Sequence, residues 1–200
     1  MKTVYQILLL IAIVVLSYFV YESIMNPIRF KNEKDKRYEK TIERLKDIRT
    51  AQLAYRSENK KFTGSFDTLI NFVRFDSFKI VRQIGSYDDS AAVAKGLVSR
   101  DTLRVCVLDS IFNINYPLDS LRYVPYTGGA KFEMAAGELK TGSGLIIQVF
   151  EAKVHNDILL KGLDRQLVVN ENDLRKKLER YPGLKVGSLT EATNNAGNWE

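Results

Sequence analysis

The chain has 200 residues, 45% hydrophobic and 27% charged, with a net charge of +6. This composition excludes a disordered chain. Once the apolar N-terminal run and its flank are set aside, roughly 130 residues remain, room for one core and not for two. The single cysteine, Cys106, excludes an internal disulfide and a cysteine metal cage. The basic excess collects just past the apolar run, which points to a solvated helix face or anionic lipid headgroups and not to nucleic acid.

Val4 to Tyr21 reads VYQILLLIAIVVLSYFVY, with Gln6 and Ser17 as its clearly polar members. Eighteen residues at 1.5 Å each give about 27 Å, close to the roughly 30 Å hydrocarbon core of a bilayer. Tyr5 at one end and Tyr18, Phe19 and Tyr21 at the other stand where interfacial aromatics would. A cleaved signal peptide is the competing reading. The apolar run is long for one, and Tyr18-Phe19-Val20-Tyr21-Glu22 lacks small residues at the cleavage spacing. The expectation is a retained single-pass helix. For orientation, Arg29, Lys31, Lys34, Lys36 and Arg37 after the span favour a cytosolic domain by simple counting. The short N-terminus with one lysine, and the interleaved Glu33, Asp35, Glu39 and Glu43, favour the opposite side.

Pro27 predicts a break after the span. From Asn32 to Asn59 the chain is free of Gly and Pro, and Ile42, Leu45, Ile48, Ala51 or Gln52, and Tyr55 recur at helical steps. The charges repel at Glu39–Glu43 and Glu43–Asp47 and attract at Glu33–Arg37, as on a solvated face. The stripe is too short for a coiled coil, so its second half is expected to pack on a sheet. Thr63-Gly64 then predicts a turn. Ser65 predicts an N-cap, and Leu69, Ile70, Phe72 and Val73 the buried side of a second helix.

These residues carry a resemblance. An apolar helix runs into an amphipathic one ending Ile48-Arg49-Thr50-Ala51-Gln52-Leu53-Ala54-Tyr55, followed by Asn59, Lys61-Phe62, a turn and Phe66-x-x-Leu69. Over about the first third of the chain this resembles the type IV pilins and type II secretion pseudopilins. Met1-Lys2-Thr3-Val4-Tyr5-Gln6 lacks that family's basic leader, glycine cleavage site and buried glutamate. The resemblance therefore implies a pilin-like envelope subunit and not a processed, polymerising pilin.

Beyond Arg74 the period shortens. Strands are expected at 78–84, 103–108, 121–124, 131–135, 145–154 and 184–186. Turns are expected at Gly128-Gly129 and Gly142-Ser143-Gly144, and a short helix at 173–180, stopped by Pro182-Gly183. Successive strands with short turns predict an α+β fold with a mainly antiparallel sheet. The expected organisation is a tail at 1–3, a transmembrane helix at 4–21, a basic juxtamembrane stalk at 22–41, a soluble domain at 42–190 and a flexible tail at 191–200.

No catalytic, cofactor or metal motif is found. His155, the only histidine, reads as a surface residue, and Gly142-Ser143-Gly144-Leu145 lacks the spacing of a nucleophile elbow. Cys106 sits in an apolar strand pattern and reads as a buried thiol. Arg82, Arg104 and Arg122 alternate as if on one sheet face, without the spacing of a nucleic-acid module. One pattern exceeds chance. Asp-Ser/Thr-Ala/Leu/Ile triplets place hydroxyls at Thr68, Ser90, Thr102, Ser110 and Ser120, where ordinary frequencies give about one. They resemble the acceptor sites of a general O-glycosylation system for exported bacterial proteins, and they are equally turn and cap residues. Trp199, in the polar C-terminal stretch, is the candidate partner contact.

The expected function is a non-catalytic, single-pass inner-membrane protein with a periplasmic domain. It would serve as a structural or accessory subunit of a pilus-like or secretion assembly, with lipid as partner through residues 4–21 and other envelope proteins as further partners. The alternatives are a periplasmic module binding a polysaccharide or peptide, and a membrane-anchored hydrolase.

Overall fold

The computed structural model describes residues 2–84 and 99–200. The fold is α+β, with a long N-terminal apolar helix, shorter helices, and antiparallel sheets of two and three strands. Helix α1 spans Lys2–Asn59 without interruption. Pro27 lies inside it, so the expected break is absent. A proline there removes one helical hydrogen bond and crowds the carbonyl four residues back, at a cost of about 3 kcal/mol. The turns that follow are tied to the rest of the chain by Lys34 on Glu171 and by Arg37 on the Leu159 and Lys161 carbonyls. Helix α2 is Phe66–Phe75, and the strands are β1 (Ser77–Ile84), β2 (Ser99–Cys106), β3 (Glu133–Lys140), β4 (Ile146–His155) and β5 (Gly183–Gly187). Helices α3 (Val107–Ile111), α4 (Asn156–Leu159) and α5 (Arg165–Lys177) complete the set, with a 3-10 turn at Leu118–Arg122.

The chain divides into two compact units. The first comprises Met1–Glu43, Val124–Ala130 and Val154–Leu184. Its interior holds Leu159, Leu160, Val154 and Leu184 together with the polar Thr41, Asn156 and Asn172. Helix α5 starts eight residues before the expected position because Asp164 caps it, its carboxylate accepting from the backbone N–H of Gln166 and Leu167 at 2.9 and 3.1 Å.

The second unit comprises Arg44–Tyr123, Lys131–Lys153 and Lys185–Glu200. Here the expected stripe is the core: Leu45, Ile48, Ala51 and Gln52 are fully buried, and Tyr55 nearly so. The Gln52 side chain donates to the Thr63 carbonyl (2.6 Å) and to Met134 Sδ on β3 (3.2 Å), which satisfies a buried amide and ties helix to sheet. Tyr55 meets Phe72 edge-on, and Phe62 lies 4.8 Å from Phe150. Ser65 caps α2, whose Leu69, Ile70, Phe72 and Val73 are buried as the spacing predicts. The three-stranded sheet has the order β3-β4-β5, with β3 antiparallel to β4 from Glu133↔Lys153 to Lys140↔Ile146. Thr141 to Leu145 closes that hairpin through the Gly142-Ser143-Gly144 turn.

Four expectations are corrected in this unit. Leu121–Val124 is not a strand: Pro117, Asp119 and Ser120 favour a turn, and Leu118 and Leu121, three apart, share the buried face of a 3-10 turn. Arg122 therefore leaves the sheet and pairs with Asp67 at 2.8 Å. Strands β1 and β2 form a two-stranded ribbon, paired from Ser77↔Cys106 to Ile84↔Ser99. Residues 101–104 of β2 are all exposed, so Cys106 at its end is exposed and not buried. Last, residues 191–200 are held rather than loose. Val186 pairs with Gly197, Asn198 N–H donates to the Lys185 carbonyl, and Arg49 donates to Glu200 at 2.7 Å.

Candidate functional site: an anchor and its polar collar

Among the described residues, α1 is the one helix long and apolar enough to cross a membrane. Every residue from Thr3 to Tyr21 is exposed, which leaves a bare apolar rod of eighteen residues from Val4. That continuous apolar surface, on the order of a thousand Å² or more, exceeds the few hundred Å² of contiguous apolar patch that a soluble monomer exposes. Glu22 and Arg29 pair at 3.2 Å just beyond it.

From Asn26 onward the same helix is gripped by polar contacts within the first unit. Asn26 donates to Asp164 at 3.1 Å and Lys34 to Glu171 at 3.0 Å, partners 138 and 137 residues apart. The Arg175 guanidinium lies 5.3 Å from the Tyr38 ring centre. A constant offset along both helices means that α5 runs beside α1 in the same direction, with its N-terminus toward the apolar rod. Arg37 completes the grip. It donates to the Leu159 and Lys161 carbonyls at 3.1 and 3.0 Å, satisfying the C-terminal end of α4, and to Glu33 at 3.1 Å.

At the centre is a directed chain of hydrogen bonds. Tyr38 donates to Asn156 Oδ1 (2.6 Å), Asn156 to Asn172 Oδ1 (2.9 Å), and Asn172 to Asp157 Oδ1 (2.8 Å). Burial pushes the Tyr38 phenol up to about 12, against the opposing field of Arg175. Burial also works to raise the Glu171 carboxyl, but hydrogen bonds and charge from Lys34 and Arg175 outweigh it and lower the group below its usual range. The Asp164 carboxyl is lowered by the backbone N–H of Leu167, then by Asn26. Each charge in this collar is committed to a structural partner. The arrangement fixes orientation; it offers no nucleophile beside a base.

No family model, curated protein or solved structure matches this chain.

The sequence-derived candidates scatter. Thr68, Thr102 and Ser110 are exposed, on α2, β2 and α3. Ser120 is engaged, accepting from Arg44 at 2.5 Å and donating to the Pro117 carbonyl at 2.6 Å. Ser90 lies outside the described residues. Trp199 is half-buried, its ring folded over Gly197, where an added Cβ would strike it. His155 caps α4, with Nδ1 accepting from the Asp157 N–H at 3.2 Å, while Ser143 sits in the turn that opens β4 and contacts Thr141 at 2.9 Å. No cluster of three metal-ligating side chains occurs among the described residues. A cleft of about 410 Å³ in the second unit is bordered by Arg56, Lys60, Gln148 and Ser188. Its cations are engaged, Lys60 with the Ser57 carbonyl and Arg56 over the Phe62 ring. The collar itself was not anticipated. The one local signal was Asp164 three residues before Leu167, an N-cap spacing ahead of an apolar step.

Proposed function

We propose that the chain is a non-catalytic, single-pass membrane protein acting as a structural or accessory subunit of an envelope assembly of the pilus-like or secretion type. The observation that carries the reading is the unbroken α1. One helix is bare and apolar for its first third and built into folded protein for the rest. A catalytic domain needs only a flexible tether. A rigid helix that continues from lipid into a core transmits position and force, which is what an assembly subunit requires. The pilin-like helix end at Ala51–Tyr55 and the following turn and α2 are in keeping with this.

The test is photocrosslinking in native membranes from exposed positions of both units, with adducts identified by mass spectrometry. The reading predicts a small, reproducible set of envelope-protein adducts. Adducts to lipid alone from every position would refute it. The periplasmic orientation has its own test. Cys106 is the only cysteine and is exposed. In intact spheroplasts a membrane-impermeant maleimide should label it, and labelling that appears only after lysis would place the domain on the cytosolic side. Intact-mass measurement of natively expressed protein tests glycan addition at the open hydroxyls of Thr68, Thr102 and Ser110.

A further inference from the structure

The constant offset between α1 and α5 has a geometric consequence at the lipid boundary. Tyr21 ends the apolar run, and Asn26, five residues on, lies about 7.5 Å farther along the helix axis. The headgroup layer of one leaflet is about 5–7 Å thick. Asp164, held by Asn26 at 3.1 Å, is therefore level with the outer headgroups. A second observation brings α5 closer still. Phe19, inside the apolar run, lines a crevice of about 430 Å³ with Glu22, Asn26, Asp164, Gln166 and Leu167. The first turn of α5 thus reaches down beside the end of the span. Next to it, Leu160, Leu163 and Val168 form the apolar wall of a groove of about 560 Å³ that Lys161 and Arg165 also line. Both cations are exposed.

We propose that the α4–α5 connection and the first turn of α5, residues 161–167, rest in the headgroup layer of the leaflet that holds the anchor. Lys161 and Arg165 there meet lipid phosphates, and Leu163 and Leu167 face the acyl boundary. The occupant of this surface is the phospholipid of the protein's own bilayer. The acidic groups facing it are accounted for. Asp164 is committed to two backbone N–H groups and Asn26, Glu22 is paired with Arg29, and Asp157 accepts from Asn172. Their donors other than Arg29 are neutral, so Asp164 keeps its charge; within residues 161–167 Lys161 and Arg165 against Asp164 leave one positive charge in excess, which suits anionic headgroups. The contact fixes the rotation and tilt of the first unit on the membrane, which a single helix alone leaves open. The proposal rests on the anchor reading.

The test uses the full chain in lipid vesicles, on a Cys106→Ser background, with a polarity-sensitive fluorophore on a single introduced cysteine. The positions are Gln166→Cys at the ledge, Lys177→Cys at the far end of α5 and Val14→Cys in mid-span. Lipids carrying a nitroxide on the headgroup should quench the label at 166 at least threefold more than the label at 177. Equal, weak quenching at 166 and 177, with the label at 14 quenched by acyl-chain nitroxides, overturns this proposal and leaves the anchor standing. Failure to quench the label at 14 overturns both. Adding anionic lipid to zwitterionic vesicles should raise quenching at 166 about twofold, and the pair Lys161→Glu and Arg165→Glu should abolish that rise. No rise in the parent chain overturns the assignment of the two cations.

Discussion

The hydrogen-bond chain from Tyr38 to Asp157 makes a quantitative prediction. Asn156 is fully buried and bonded at both ends of its amide. Asn156→Ala removes two hydrogen bonds, each worth about 1 kcal/mol net. It also strands the Asn172 carbonyl oxygen, on a residue only 6% exposed, for about another 1 kcal/mol or more. The expected loss is about 3 kcal/mol, or a fall in Tm of about 6–12 °C for a folded body of this size. Tyr38→Phe removes one bond and strands one acceptor, so it should cost about 1–2 kcal/mol. Because the two share a bond, the double variant should fall short of the sum by about 1 kcal/mol. Urea and thermal unfolding of the full chain in mild detergent, followed by circular dichroism, reads all three. Additive losses, or an Asn156→Ala variant within 0.5 kcal/mol of the parent, would refute the claim that this chain of bonds holds α1 to α4 and α5.

Three further outcomes follow from the same geometry. The Tyr38 phenol, held near 12 by burial, stabilises the fold in its neutral form fully below pH 10, and that contribution is lost as pH rises from 10 toward 12; spectrophotometric titration should show a late-ionising tyrosine that Tyr38→Phe removes. Glu171, whose carboxyl is lowered by Lys34 and Arg175, contributes stability above its unfolded value of 4.5 that disappears as pH falls below it. Glu171→Gln should therefore cost about 1–3 kcal/mol at pH 7, and the difference from the parent should shrink as pH falls below 4.5, read from paired melting curves. Gly187 has φ +71, and a Cβ there would strike the Phe150 carbonyl. Gly187→Ala should lower stability by about 2 kcal/mol or more, by urea unfolding, through strain and displacement of β5 from β4.

What the sequence revealed was local and periodic. The apolar run, the stripe from Leu45 to Tyr55, the Ser65 cap with its four buried α2 residues, and strand β4 all follow from spacing within one element. Polar elements were harder. Helix α5 carries Gln166, Asn170, Glu171, Asn172 and Asp173 with little apolar stripe, so its first two turns gave no periodic signal. It is held by partners on α1 more than a hundred residues away, Lys34 on Glu171 and Tyr38 beside Arg175, which no local pattern encodes. The same holds for residues 191–200, whose polar composition suggests looseness and whose backbone pairs with β5. Cys106 shows the opposite failure. Alternation in β2 implied a buried face, but a two-stranded ribbon has no second layer to bury it. The collar around Tyr38 was legible only in its parts.

The most direct measurement is extraction of native membranes with alkaline carbonate, followed by intact-mass determination. If α1 is an anchor built continuously into the folded body, the chain stays in the membrane pellet with its apolar run attached. Release into the wash, or a chain whose first residue lies beyond Tyr21, would contradict the account.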